Sequence, residues 1–261
     1  MSTIPFLLDE EAYRLGFRHW VGLNYKSGSP HVLTAGRSGS GKTVAAKSLI
    51  ARTILYAEPK LQPVEVYVID PKGGDFDFLE GLPRYYRGEQ SVQGLQAVFG
   101  RFQLRQSEKD RTRNLIIGFV DEFASLVNFV EDKKEKEKIF QKLSLLLMLS
   151  RSFSFSIQLA TQQPSAQTLG NSGNREQMGI VCLLGDSGSE TQRMLFDSDS
   201  IERMKDFGHI GGRGVGWLSV NGGFAHPVRV PKITNFDKLH AVIRQSVERG
   251  SFPPDSPATN K

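Results

Sequence analysis

Apolar runs of five or six residues recur along the chain at His31–Ala35, Val64–Ile69, Leu115–Val120, Phe155–Ala160 and Gly179–Leu184. Their length and their content of β-branched and aromatic residues predict buried strands. Between them, apolar residues return every three or four positions, which predicts helices over Thr43–Ala57, Ser91–Lys109, Glu131–Arg151 and Ser189–Leu195. Strands alternating with helices predict an α/β fold with a mainly parallel central sheet flanked by helices. Gly214–Val220 and Phe224–Val230 flank Asn221-Gly222-Gly223, and an Asn-Gly between strand-like runs predicts a C-terminal β-hairpin. No internal repeat is present. Residues 1–20 read as an N-terminal extension and 21–250 as one domain. The Pro/Ser-rich tail 251–261 reads as disordered.

Composition changes this picture little. At 261 residues the chain can bury a sizeable core, as one large domain or two small ones. No apolar run reaches the ~18 residues that a membrane helix needs. The first ten residues lack a basic segment and turn acidic, unlike a secretory signal. The single cysteine, Cys182, excludes a disulfide framework and a Cys-based metal cluster, and a cytoplasmic location is expected. It lies within Ile180–Leu184, where a core thiol is the better reading than a nucleophile. The net charge of +5 leans weakly towards a polyanionic partner. The run Glu131–Lys138 mixes both signs and continues into Ile139, Leu143, Leu146 and Leu147. A solvated helix face fits it better than a nucleic-acid patch.

The chemistry is concentrated first at Gly36-Arg37-Ser38-Gly39-Ser40-Gly41-Lys42-Thr43, followed by Val44. This is a complete G-x-x-x-x-G-K-[ST] phosphate loop between a predicted strand and a predicted helix. Successive backbone N–H groups and the positive end of the helix point at bound phosphates. Lys42 is expected to reach the β- and γ-phosphates, and the Thr43 hydroxyl to bind Mg²⁺. These residues predict a nucleoside triphosphate site.

Leu115–Val120 runs directly into Asp121-Glu122. An apolar strand ending in two carboxylates suits a triphosphatase. Asp121 is expected to hold the Mg²⁺ ion with its water shell. Glu122 is expected to polarise an attacking water. The strand ending Leu159-Ala160-Thr161-Gln162 supplies Gln162, a neutral amide able to hydrogen-bond the γ-phosphate or that water.

Four blocks together resemble one family, the FtsK/SpoIIIE DNA-translocating ATPases. They are His31–Thr43, Val68–Asp75 containing Asp70-Pro71-Lys72-Gly73-Gly74, Phe119–Ala124, and Arg151–Ser165 ending L-A-T-Q-Q-P-S. Gly81-Leu82-Pro83 and Gly212-Arg213-Gly214 add to the likeness, which runs from about residue 20 to residue 231. The resemblance implies a RecA-like P-loop NTPase using ATP and Mg²⁺. It implies a homohexameric ring that moves double-stranded DNA through its channel. It also implies an arginine supplied by the neighbouring subunit to each site. Arg151 is the best-matched arginine, Arg175 and Arg193 are weaker candidates, and Arg213 has an equally good structural reading. DNA contact would come from loops facing the channel through backbone phosphates. The stretches Gln167–Arg175 and Ser107–Arg113 supply Arg175, Arg111 and Arg113 for it.

The sequence departs from the family in places. Gln163 stands where an arginine usually follows L-A-T-Q, and Ser154-Phe155-Ser156 replaces the usual Gly-Ile-His. The membrane helices, preceding domain and winged-helix reader typical of the family are not in this sequence. A compact form, like the motors of plasmids and conjugative elements, is the resulting expectation, either with a membrane, replication or transfer partner to set its place or working free in the cytoplasm. Two alternatives stay open: a conjugative ATPase that pumps single-stranded DNA or protein, and a nucleotide-dependent assembly switch.

Overall fold

Phe6, Leu7 and Leu8 are buried in β1 (Ile4–Asp9), and the Asp9 carboxylate accepts from the Ala12 N–H to cap α1 (Glu10–Arg14). The computed structural model describes residues 3–25, 28–57 and 63–249, so the expected tail at 251–261 lies outside the described residues. The chain continues through β2 (Trp20–Leu23), β3 (Val32–Ala35), α2 (Lys42–Ala57), β4 (Glu65–Asp70), β5 (Tyr85–Arg87) and α3 (Ser91–Gln106). Next come β6 (Ile116–Asp121), α4 (Phe123–Asn128), α5 (Lys133–Leu149), β7 (Phe155–Thr161), α6 (Ala166–Leu169), α7 (Ser172–Glu176) and β8 (Ile180–Leu184). The described chain closes with α8 (Ser189–Leu195), α9 (Ser198–Phe207), β9 (Val215–Val220), β10 (His226–Arg229) and α10 (Phe236–Glu248).

All the strands join one sheet in the order β2-β1-β10-β9-β8-β3-β7-β6-β4-β5. From β8 to β5 the pairs are parallel, and from β9 outward to β2 they are antiparallel. The expected α/β architecture, the five parallel strands and the β9–β10 hairpin are all present. The first twenty residues do more than precede the domain. β1 pairs with β10, and β2 closes that edge of the sheet. The buried Glu10 carboxylate anchors this edge through two bonds from the Arg229 guanidinium, at 2.7 and 3.0 Å.

Helices cover both faces. On one, Ala45, Leu49 and Ile50 of α2 and Ile243 and Val247 of α10 meet Val66, Val68, Ile117 and Phe119 of the sheet. On the other, Leu95, Val98 and Phe102 of α3 and Leu143 and Leu146 of α5 meet Ile116, Val120, Ile157 and Leu159. Central strands apolar on both sides are what a parallel sheet buried by helices requires. Cys182 is buried and burial pushes its thiol up to about 12, in keeping with an inert core position.

The segment 107–115 is irregular, yet its base is locked. The buried Arg105 guanidinium donates to Asp110 Oδ2, to the Asn114 and Phe153 carbonyls and to Thr112 Oγ1. The stretch 167–175, expected as a glycine-rich loop, instead holds α6 and α7. Ser165 and Asn171 cap them by accepting from the Thr168 and Asn174 N–H groups. Ser and Asn are as common at helix starts as in loops, so composition alone did not separate the two.

Candidate functional site

β3 is buried along its whole length and delivers the chain directly into the phosphate loop. The Gly36 N–H donates to the Thr161 carbonyl at 3.2 Å, tying the loop to the end of β7. Gly36 has φ +150°, and a Cβ there would lie 2.3 Å from the Leu184 carbonyl oxygen. No other residue fits that position. α2 begins at Lys42, with the Ala45 N–H donating to the Gly41 carbonyl at 2.9 Å. The Lys42 ammonium donates to the carbonyls of Gly36, at 2.6 Å, and Arg37, at 3.0 Å. Those oxygens stand where phosphate oxygens would compete for the same donors. Burial lowers the Lys42 ammonium below its ordinary range, against the pull of Glu122 and Asp121.

Asp121 ends β6, two strands from β3, and points to the same opening. Burial, reinforced by the charges of Asp70, Asp75 and Glu122, pushes its carboxyl up to about 7, while Lys42 opposes the rise. Acidic groups gathered around one buried carboxylate fit a site that takes up a cation. The Thr43 hydroxyl donates to Asp75 Oδ2 at 3.3 Å. Among the described residues no cluster of three or more His, Cys, Asp or Glu side chains encloses a metal. A hydroxyl and one carboxylate, with waters and phosphate oxygens completing the shell, is the donor set that suits Mg²⁺.

Glu122 follows with φ +57° and ψ +70°, a left-handed conformation held at the start of α4. Its Oε1 accepts from Thr161 Oγ1 at 3.1 Å, and its Oε2 from the Gln162 N–H at 3.1 Å. The Lys72 ammonium lies 3.6 Å from Oε2. A non-glycine residue in this region costs about 1–3 kcal/mol, so the strain is sustained by these contacts at the mouth of the cleft.

The opening is a cavity of about 310 Å³ lined by Ser38, Gly39, Gly41–Val44, Asp121, Glu122 and Gln162, with Lys72, Asp75 and Arg213 joining them. The structure thus brings together the phosphate loop, both carboxylates and Gln162. Sequence reasoning missed Lys72 and Asp75 as site residues. Their signal was the Asp70–Asp75 block, distinctive in itself but without a stated role. Arg213 was legible only as an arginine between glycines.

Arg151, Arg111, Arg113 and Arg175 are elsewhere. Arg151 lies ahead of β7, Arg111 and Arg113 ahead of β6, and Arg175 on α7 ahead of β8. These are the starts of parallel strands, whereas the phosphate loop is at their ends. Arg175 and Arg193 line a second cavity at that far end, of about 600 Å³, with Asn221 and Gly222 of the hairpin turn.

The model of the FtsK/SpoIIIE family matches residues 14–100, the stretch that carries the phosphate loop and the Asp70–Asp75 block. Over these residues the chain is similar to the FtsK/SpoIIIE family. It is similar to the DNA translocase FtsK of Streptococcus pneumoniae, 24% identical over 245 residues, which is 81% of this chain and 31% of that protein. The DNA translocase FtsK of Halalkalibacterium halodurans is 25% identical over 170 residues, 54% of this chain and 21% of that one. The chain therefore spans well under half the length of these curated relatives. Among solved structures, the pCW3 conjugation coupling protein TcpA, in its monomer form with ATPγS, superimposes with a TM-score of 0.67 at 16% identity, over 94% of this chain and 71% of that one. The cytoplasmic domain of the type VII secretion ATPase EccC of Thermomonospora curvata gives 0.65 at 16%, over 96% and 31%. The fold is that of these P-loop NTPase domains. Among the described residues no helix is long and apolar enough to cross a membrane.

Proposed function

We propose that this chain is an FtsK/SpoIIIE motor that hydrolyses ATP with Mg²⁺ and uses the energy to move double-stranded DNA, working as a homohexameric ring. The observation that carries the reading is the convergence of Lys42, Thr43, Asp121 and Glu122 on one cleft. In it, Lys42 and the loop N–H groups bind phosphates, Thr43 and Asp121 hold the metal ion, and Glu122 orients and polarises the attacking water. Gln162 adds a neutral hydrogen-bonding group beside that carboxylate. The ion supplies charge neutralisation on the phosphates. Arg151 acts on a neighbour's site, and Arg111, Arg113 and Arg175 contact DNA phosphates. The likeness to TcpA supports a plasmid or conjugative setting, with a cytoplasmic motor placed by a membrane, replication or transfer partner.

A second reading is favoured by the nearly equal likeness to EccC, a secretion ATPase: a pump for single-stranded DNA or protein built on the same cleft.

Mg²⁺-dependent ATP hydrolysis tests both readings. It is measured alone, with duplex DNA and with single-stranded DNA, for the wild type, Lys42→Ala and Glu122→Gln. Duplex of unrelated sequences should stimulate turnover equally, and the stimulation should fade between about 50 and about 200 mM salt as counterion release weakens phosphate contacts. Arg175→Ala should lower the stimulation. Lys42→Ala should lose nucleotide binding, and Glu122→Gln should bind without hydrolysing. Stimulation by single strands alone selects the second reading, and indifference to both polymers selects an assembly switch.

A further inference from the structure

Arg213 lines the same cleft as Lys42, Thr43, Asp121 and Glu122, but it reaches the opening from another flank. It belongs to the connection Gly211-Gly212-Arg213-Gly214 between α9 and β9. Gly212 and Gly214 have φ of +94° and +79°, and these left-handed turns carry residue 213 up to the phosphate loop. Backbone contacts fasten it there. The Gly214 N–H donates to the Ser40 carbonyl at 2.8 Å. A Cβ on Gly41 would lie only 3.2 Å from the Gly214 Cα. The Gly214 carbonyl accepts from the Val230 N–H at 2.7 Å, and the Val215 carbonyl from the Gly185 N–H at 2.7 Å. The position of residue 213 is therefore fixed relative to Ser40 by the sheet itself.

Its charge is not spent within the fold. The buried or half-buried guanidinium groups of Arg84, Arg101, Arg105 and Arg229 all face carboxylates. Among the described residues, the exposed Arg213 has no carboxylate within ion-pair distance. It borders a cleft whose opposite wall holds Asp121 and Glu122.

The sheet order bears on which part of a nucleotide in the cleft would meet this flank. β3 leads into the phosphate loop. On one side of β3 lie β7 and β6, whose ends carry Gln162, Asp121 and Glu122. On the other side lie β8 and β9, and Arg213 stands just ahead of β9. With the terminal phosphate and the attacking water placed by the carboxylates, Arg213 would face the inner phosphates across the loop.

We propose that Arg213 binds, within its own subunit, the phosphate groups that ATP and ADP share. This rests on the nucleotide-binding reading of the cleft. A planar guanidinium donates to two phosphate oxygens at once, which suits it to the task better than an ammonium. Contact with the shared phosphates persists after the terminal phosphate is lost. It therefore contributes uniform binding, which appears in Kd and KM rather than in kcat. An arginine supplied by a neighbour acts instead on charge that develops in the transition state.

The test measures Kd for ADP and for ATPγS, with Mg²⁺, by competition against a fluorescent nucleotide. It uses the full chain as wild type, Arg213→Ala and Arg213→Lys, together with KM and kcat for ATP. Arg213→Ala is expected to weaken both nucleotides by a similar factor of about ten, the scale of one hydrogen-bonded charge. KM rises by the same factor while kcat falls far less, and Arg213→Lys recovers part of the affinity. Matching thermal unfolding curves show that each variant folds, and the Lys variant carries the test if the Ala variant does not. Unchanged affinity for both nucleotides overturns the proposal. Loss confined to ATPγS moves Arg213 to the terminal phosphate and overturns it as well. Loss of kcat with both affinities intact assigns it to a neighbour's site and likewise overturns it. A wild-type chain that binds neither nucleotide overturns the nucleotide-binding reading of the cleft instead, so the two failures are distinguishable.

Discussion

The Lys72 ammonium lies 3.6 Å from the Glu122 carboxylate, joining the end of β4 to the end of β6 across the mouth of the cleft. Thr161 and the Gln162 N–H hold the same carboxylate from the β7 side. Glu122 is thus engaged from two neighbouring strand ends while its own backbone is in a left-handed conformation. In the proposed role of polarising one water, a carboxylate needs such restraint, because small misplacements are costly in rate.

Lys72→Ala is expected to lower kcat by about tenfold while nucleotide affinity changes by less than about threefold, because the contact orients Glu122 more than it binds phosphate. Lys72→Arg should retain more of kcat. Steady-state kinetics with a parallel Kd measurement check this, and a wild-type kcat in Lys72→Ala would remove Lys72 from the orienting role. Lys72 is half exposed, so little stability should be lost.

Arg151 cannot serve its own nucleotide. It precedes β7, whose seven residues at about 3.3 Å each separate it from the phosphate loop by roughly 20 Å. Arg151→Ala is therefore expected to leave ATPγS affinity intact yet lower turnover by about 10³-fold in a pure assembly. Mixed with wild-type subunits it should depress hydrolysis by more than its share. Hydrolysis that falls only in proportion to the fraction of variant would pass the role to Arg175 or Arg193.

The Arg105 guanidinium carries a different weight. It is fully buried and bonded to Asp110, Thr112, Asn114 and Phe153. Arg105→Met should destabilise the chain by about 3–5 kcal/mol, because the Asn114 and Phe153 carbonyls lose their donor in a dry site and Asp110 keeps only Arg101 and Thr112. Urea unfolding measures it, and a loss below about 1 kcal/mol would show that water replaces the arginine.

Two groups, His31 and Asp110, should each lose a stabilising contribution as pH falls, while the raised Asp121 carboxyl, at about 7 in the folded chain, acts in the opposite sense between about 7 and 3.8. Burial, aided by the nearby Arg151 charge, lowers the His31 imidazole from 6.5 to about 4. Its nitrogen Nδ1 accepts from the Ile157 N–H at 3.0 Å, so the folded chain keeps it neutral. The unfolded chain takes up a proton below about 6.5, and this contribution to stability is lost as pH falls from there to about 4. Burial alone would raise the Asp110 carboxyl. Bonds from Thr112 and Arg105 and the Arg101 charge overcome this and hold it at about 2, below its ordinary 3.8. Its contribution is present above about 3.8 and is lost as pH falls towards 2. Urea midpoints against pH are compared between the wild type and His31→Asn, so that Asp121 cancels in the difference. A difference that stays constant from pH 6.5 to 4 would remove His31 from the account.

The parallel strands, the helices α2, α3, α5 and α8, and the hairpin were legible because each buries a face against its neighbours and so repeats apolar residues at its own period. α10 was not read, although Leu239, Val242, Ile243 and Val247 follow helical spacing on it. What fixes it is distant: the Arg84 guanidinium donates to the Ser246 carbonyl and the Ser246 hydroxyl to the Val64 carbonyl. β1 and β2 were hidden for a related reason, since an edge strand is defined by its partner, here β10.

Local chemistry determined the phosphate loop and the Asp121-Glu122 pair, because a backbone cradle and a strand ending in carboxylates are written in consecutive residues. Tertiary structure alone decided that Lys72 meets Glu122, that Asp75 meets Thr43, and that Arg213 enters the cleft while Arg151, Arg175, Arg111 and Arg113 lie at the opposite end of the sheet. Those placements depend on the order in which strands pair. A strand's own residues specify that it will be buried, while its neighbours in the sheet are selected by packing across the whole core.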